Sequence, residues 1–210
     1  EIAVSGSTLY ACPVNNSYQV PTIYKSTNGG ANWAATTAQP TSGWTNGQGW
    51  YDVEVGIDPS NSNNVIVGGL DTYKTINGGT SWTKMSEWVG TVGQYVHADI
   101  HKISWWDGGN KLVIASDGGV FYSSDKGTTI RDRNLGLRIK QFYSCAIHPT
   151  TTNYFIAGAQ DNGNHQFSNA GLSTSIEITG GDGAYVDIDQ DQPQYQYGAY
   201  VYNVYRRSTN

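Results

Sequence analysis

The sequence predicts an all-β fold, a β-propeller of four-stranded antiparallel blades present as an incomplete set of about four to five. Three observations predict it. A short turn motif recurs at the period of a blade, a second marker runs in phase with it, and the composition suits many short strands joined by tight turns.

The motif reads S-T-N-G-G-A-N-W at 26–33 and T-I-N-G-G-T-S-W at 75–82. A third copy at 123–130 reads S-S-D-K-G-T-T-I, with Ile130 where the others carry Trp33 and Trp82. A worn copy follows at 167–174, and Ser208-Thr209-Asn210 match the opening of another. The copies therefore start roughly every 40–50 residues, the length of a propeller blade. Ser26, Thr75 and Ser123 open the motif, and Asn28, Asn77 or Asp125 can bond backbone N–H groups inside the turn. Gly30, Gly79 and Gly127 supply the left-handed backbone angles. The closing Trp is expected to pack between sheets. These residues read as fold markers rather than catalytic groups.

The second marker is the end of a strand-like segment, at Ile57-Asp58-Pro59, Trp105-Trp106-Asp107, Ile147-His148-Pro149 and Ile188-Asp189-Gln190. Alternation precedes it, as in Tyr51, Val53, Val55 and Ile57, the period-2 pattern of a half-buried strand. A polar turn and a second strand such as Asn64-Val65-Ile66-Val67 come next. A third strand then enters the motif and a fourth leaves it. The reading gives a partial blade at 1–40, blades at 41–90, 91–137 and 138–180, and a partial blade at 181–210. Residues 1–40 are expected to supply the last three strands of a blade, with Ile2-Ala3-Val4 aligned to 65–67, and residues 184–210 the first three of another. On this reading the remaining blades or domains of a longer chain are the first partners.

Composition narrows the function classes. Gly (26), Tyr (15) and Trp (7) are abundant and only 14% of residues are charged, which fits turns and pleated surfaces. The formal charge of −5 argues against nucleic acid as a partner. No apolar run is long enough for a membrane span. No cofactor is expected, and no signal peptide is visible in a chain that begins Glu1-Ile2-Ala3-Val4 and need not include its own start. Cys12 and Cys145 fall in different repeats and read as two lone thiols.

In a four-stranded meander the first and third turns share one face, while second turns and blade-to-blade loops share the other. That other face collects Asp71, Asp117, Asp161 and Asp182 with Trp44, Trp50, Trp88 and Tyr95. Rings that stack on sugars beside acids that bond hydroxyls make a glycan site, and two suitably spaced carboxylates suffice for glycoside hydrolysis. The competing readings are structural: Asp before Gly holds a turn, and Trp wedges between blades. His97, Asp99 and His101 form an H-x-D-x-H pattern that points three metal-ligating side chains to one side of a strand. Asp99 and His101, however, align with Tyr51 and Val53, which favours a buried His hydrogen-bonded to an Asp. Asp187-Ile188-Asp189-Gln190-Asp191 has the spacing of a calcium loop, but Asp189 aligns with Asp58 and His148, and an ordinary turn is expected there.

The repeats resemble the BNR/Asp-box propellers of secreted bacterial proteins, a group akin to sortilin-type propellers and to xyloglucan-cleaving two-propeller glycosidases. The resemblance spans nearly the whole chain and rests on the motif copies together with Asp99-x-His101, Asp117-Gly118-Gly119-Val120, Gln160-Asp161-Asn162-Gly163 and Gly180-Gly181-Asp182-Gly183. It implies an extracellular or bacterial cell-surface module that binds glycan or a surface protein, or builds part of a larger secreted protein. The alternative it implies is a glycoside hydrolase module acting on polysaccharide through Asp117 with Asp161 or Asp182. Sialidases of similar style clamp their substrate with three arginines from separate blades. Here Arg131, Arg133, Arg138, Arg206 and Arg207 bunch at two places, which argues against that activity. In the xyloglucan-cleaving family one catalytic Asp sits in a T-D-x-G-G turn. Ser116-Asp117-Gly118-Gly119 matches it in part, and the partner acid belongs to a second propeller that this sequence lacks.

Overall fold

The computed structural model describes residues 1–90, 93–137, 139–169, 175–202 and 204–209. Every regular element among them is a β-strand, and all pairings between these strands are antiparallel. The chain divides into two compact units, Glu1–Leu137 and Arg138–Asn210.

The first unit holds three four-stranded meanders. The first comprises β1 (Ile2–Ser5), β2 (Thr8–Ala11), β3 (Tyr24–Ser26) and β4 (Ala34–Ala35). The second comprises β5 (Glu54–Ile57), β6 (Val65–Gly68), β7 (Thr72–Thr75) and β8 (Thr83–Ser86). The third comprises β9 (Ile100–Trp106), β10 (Lys111–Ser116), β11 (Gly119–Ser123) and β12 (Arg131–Asp132).

Strand β6 shows why these sheets stack face to face. Side chains alternate across a strand, so a sheet with a neighbour on each face buries both sets. Val65 and Val67 join Tyr10, Ile23, Trp44 and Val55 in one core, while Ile66 joins Ile100, Ile103, Leu112, Ile114 and Phe121 in the other. All four β6 residues are buried. Removing one such aliphatic side chain costs about 2–5 kcal/mol. Small residues set the closeness of approach: a Cβ on Gly56 or Gly68 would lie 2.5 Å from Ile103 Cγ2 or 2.6 Å from Ile100 Cγ2.

The second unit holds a four-stranded sheet, β13 (Phe142–Ile147), β14 (Phe155–Ala159), β15 (Gly163–Phe167) and β16 (Ile176–Thr179). Beside it lies a three-stranded sheet, β17 (Val186–Ile188), β18 (Gln196–Ala199) and β19 (Tyr205–Arg207). Ala146, Ile156, Val186 and Ile188 form the core between them. Ser144 Oγ pins the two, accepting from the Val186 amide at 2.7 Å and donating to the Ala184 carbonyl at 3.2 Å.

The predicted strand ends at Ile57, Ile147 and Ile188 are the observed ends of β5, β13 and β17, and β9 runs one residue past the predicted Trp105, to Trp106. The turns after three of them share one device. Asp58 Oδ1 accepts the Ser60 amide at 2.8 Å, Asp189 Oδ1 accepts the Asp191 and Gln192 amides at 2.9 Å, and His148 Nδ1 accepts the Thr150 and Thr151 amides. Asp189 therefore serves an ordinary turn.

Blade one departs from expectation. Ile2–Ser5 is a first strand rather than a second, and the sheet has four strands. A tight turn at Gly6 (φ +60°) pairs Ile2 with Ala11 and Ser5 with Thr8, so a complete hairpin occupies Ile2–Ala11 where the later blades place a longer first turn. The worn motif copy at 167–174 runs into 170–174, which lie outside the described residues. Both cysteines are free. Cys12 is buried, which pushes its thiol up to about 12.

Candidate functional site

The repeated turn is built the same way three times, from its first and third residues. Ser26 Oγ accepts the Gly30 amide at 3.0 Å and Asn28 Oδ1 accepts the Asn32 amide at 2.9 Å. Thr75 with Asn77 and Ser123 with Asp125 repeat both bonds, to the amides of Gly79 and Ser81 and of Gly127 and Thr129. In each copy the first side chain also donates to the third, at 2.8–2.9 Å. Side chains committed in this way hold the turn and leave little capacity for a substrate. Of the closing tryptophans, Trp82 packs against a core and its Nε1 donates to the Ala38 carbonyl at 3.0 Å. Trp33 instead stays 38% exposed over its own Gly30.

These turns lie beside the first turns, as the Gly78 amide bonding the Asn63 carbonyl and Lys126 Nζ bonding Asp58 show. In the first unit the second turns and interblade loops meet elsewhere, and there a group of polar side chains converges. The Gln48–Asp52 loop turns back on itself, with the Gln48 carbonyl accepting the Tyr51 and Asp52 amides. Tyr51 OH donates to Asp117 Oδ2 at 2.7 Å, and His101 Nε2 lies 2.8 Å from Asp117 Oδ1. The Tyr51 and His101 rings meet edge to face at 4.8 Å, and Trp50 lies 5.5 Å from Tyr51. Gln48 Nε2 donates to Asp99 Oδ1 at 2.8 Å.

The turn that carries Asp117 is clamped. Asn134 accepts the Val120 amide at 2.7 Å and donates to the Gly118 carbonyl at 3.0 Å. Gly118 sits so close to His97 that a Cβ there would lie 2.1 Å from the imidazole. Asp99 adopts φ +63°, which Asp tolerates better than most side chains, and its carbonyl accepts the Asp117 amide at 3.3 Å.

Below the loop, Asp52 is fully buried, with the Gln48 side chain beside it. Its carboxyl faces that of Asp99. Burial, then the Asp99 charge, pushes Asp52 up to about 7. Asp99 is raised as well, first by burial and next by Asp117. One oxygen of Asp99 and one of Asp117 lie within 4.8 Å of each other.

The structure sorts the sequence-derived candidates. Trp50 (69%) and Trp88 (47%) are exposed. Trp44, expected on the binding face, is a correction: its ring is 5% exposed and fills the core beside Val55 and Val67. Asp71 accepts the Trp88 amide at 3.2 Å and pairs with Lys84 at 2.8 Å, so it holds the loop that presents Trp88. In the second unit, Asp182 Oδ1 accepts the Asp161 amide at 3.1 Å and supports that turn, where Asp161 takes φ +59°. His97, Asp99 and His101 do not gather around a point. His101 goes to Asp117, Asp99 to Gln48, and His97 Nδ1 to the Ala98 carbonyl. A His–Asp pair exists, His101 with Asp117, but His101 is part-exposed rather than buried. Asp52, Gln48 and Asn134 were not anticipated; the only signal was the Gly-rich stretch around Gln48, which marks a loop rather than a strand.

No family model and no curated protein matches the chain. Solved structures do. The GH74 xyloglucanase from Xanthomonas campestris is 15% identical at a TM-score of 0.47, over 100% of this chain and 36% of that one. The Niastella koreensis GH74 enzyme is 16% identical at 0.45, over 98% and 35%. YCF48 from Cyanidioschyzon merolae is 14% identical at 0.40, over 100% and 66%. The chain thus spans about a third of the length of these GH74 enzymes. Strand order and turn construction make the chain a run of β-propeller blades, four of four strands and one of three among the described residues.

Proposed function

We propose that this chain is a non-catalytic module of an extracellular or cell-surface protein that binds glycan through the face carrying Trp50, Tyr51, His101 and Asp117. One observation carries the reading. An exposed indole and an exposed phenol adjoin a carboxylate that the phenol itself orients, at 2.7 Å. Flat apolar rings beside a fixed hydrogen-bond acceptor match a sugar, whose ring has an apolar face rimmed by hydroxyls. The BNR/Asp-box character of the repeated turns supports the extracellular setting through the resemblance noted above. Asp182, spent on a turn, argues against its use as a catalytic acid.

Binding of the full chain to a glycan array and to polysaccharide-coated surfaces tests this. The expected result is binding to a restricted set of oligosaccharides, lost in Trp50→Ala. A blank array with folded protein, or retention unaffected by Trp50→Ala, overturns it. Hydrolysis of a bound polysaccharide that Asp117→Asn abolishes would instead establish the glycoside hydrolase alternative.

A further inference from the structure

We propose that the second unit carries a separate site for an acidic sugar, in which Arg206 holds the carboxylate of a uronic acid residue. A cavity of about 330 Å³ opens where the β13–β16 and β17–β19 sheets meet, with Asn164, Thr179, Gly181, Gly198, Tyr200 and Arg206 among its walls. That volume lies at the small end of ligand sites and suits a single sugar residue. Gly198 creates the space. It faces Asn164 so closely that a Cβ there would lie 3.1 Å from Asn164 Nδ2. Arg206 is the cross-strand partner of Gly198, and paired residues on neighbouring strands share a face, so its side chain stands over the gap that the glycine leaves.

The chemistry of the walls selects the ligand. Among the described residues Arg206 forms no ion pair, and no acid lines the cavity. Glu177 is the cross-strand partner of His165, on the other face of its sheet, and Asp182 is spent on the Asp161 amide. A free guanidinium fork matches the two oxygens of a carboxylate. The floor is polar: Asn164 is buried, and its Nδ2 donates to Thr179 Oγ1 at 2.7 Å and to the Ala199 carbonyl at 3.1 Å. Its Oδ1 has no hydrogen-bond partner among the described residues, which leaves a spare acceptor for a hydroxyl. Tyr200 supplies a flat wall that is 39% exposed, and Gly181 packs so closely on that ring that a Cβ would lie 2.7 Å from it. A held phenol ring beside a hydroxyl acceptor and a carboxylate fork favours a uronic acid over an acidic peptide. None of these residues belongs to the Trp50 group, so the two sites are tested separately.

Titration calorimetry on the full chain tests it, with oligosaccharides of galacturonic, glucuronic and mannuronic acid, each beside its carboxyl-reduced counterpart. At least one acidic oligosaccharide is expected to bind, and its reduced counterpart to bind at least about tenfold more weakly. Arg206→Gln is expected to cost the acidic ligand the same factor, and Arg206→Lys most of it, because the charge stays while the fork is lost. Arg207→Gln removes the same charge from the neighbouring residue, whose guanidinium lies 5.2 Å from the Tyr195 ring, and is expected to leave binding within about twofold. Trp50→Ala is expected to leave it unchanged, which separates this site from the first unit. Arg206 is exposed, so its variants fold, and an unchanged Tm verifies that. Failure of every acidic oligosaccharide to bind folded protein overturns the site, as does equal binding of the reduced forms. Equal losses in Arg206→Gln and Arg207→Gln would mean general charge attraction only, and equal or tighter binding of a glutamate-rich peptide would assign Arg206 to a protein partner; either result also overturns it.

Discussion

The carboxyls of Asp52 and Asp99 face each other beneath the loop that presents Trp50, although they come from different blades. Such a pair stores unfavourable charge in the folded state. Its consequences are measurable as pH dependence.

Asp52 is raised from 3.8 to about 7 on folding, by burial first and the Asp99 charge second; Asp117 and His97 act through Asp99. An acid whose folded pKa is raised holds its proton while the unfolded chain has released it. Stability from this group is therefore highest below pH 4, falls between about 4 and 7, and is flat above 7. Three pH units correspond at most to about 4 kcal/mol, and relaxation around the carboxyl reduces that. Asp52→Asn is expected to raise stability at pH 8 by about 1–3 kcal/mol and to change it little at pH 4. Urea denaturation at both values checks this, and an equal effect at the two would refute the ionisation argument.

Gly68 predicts a packing penalty. A methyl at this position would lie 2.6 Å from Ile100 Cγ2 and 2.9 Å from Ile100 Cβ, on the next blade. Overpacking of this kind costs about 1–3 kcal/mol. Gly68→Ala is expected to lower stability by that amount, and Ile100→Ala should offset part of it. A double-mutant cycle by chemical denaturation would show coupling of at least about 0.5 kcal/mol; strict additivity would mean that the blades simply shift apart.

What was legible in the sequence was what is local. The repeated turn is closed by side chains that bond amides four residues away, so its chemistry lies within one short window. The strand ends after Ile57, Ile147 and Ile188 were readable for the same reason. Asp52 was not. Tyr51, Val53, Val55 and Ile57 alternate like a strand, yet Tyr51 lies in a turn closed by the Gln48 carbonyl, and β5 begins only at Glu54. Nor does any spacing reveal that residue 52 faces residue 99, since that depends on how closely blades two and three approach. Trp44 and Trp50 occupy the same Gly-rich stretch, and only the position of blade one against it decides that the first is buried and the second exposed.

The third repeated turn uses a carboxylate where the first two use an amide, which isolates the role of charge. Asp125 is held below the usual carboxylate range, first by the Thr129 amide. Asn28 and Asn77 make the equivalent bonds without charge. Asp125→Asn is therefore expected to change stability by less than about 0.5 kcal/mol, while Asp125→Ala, which strands the Thr129 and Ser123 partners, costs about 1–2 kcal/mol. Guanidinium midpoints of the two variants check the order, and a large loss in Asp125→Asn would mean that the charge itself holds the turn.

Tyr51 separates the two contributions proposed for glycan binding. Its ring stands next to Trp50, and its hydroxyl orients Asp117 from 2.7 Å. Tyr51→Phe keeps the ring and removes the donor, while Trp50→Ala removes the most exposed indole in the group. A stacking contact of about 1–1.5 kcal/mol corresponds to roughly a tenfold change in affinity. Trp50→Ala is thus expected to weaken the best oligosaccharide on the array about tenfold or more. Tyr51→Phe should weaken it by a smaller factor, because Asp117 keeps His101 as a second anchor. Titration calorimetry of both variants reads the difference. If Tyr51→Phe costs more than Trp50→Ala, orientation of the carboxylate rather than stacking governs recognition, and the sugar approaches Asp117 head-on instead of lying across the indole.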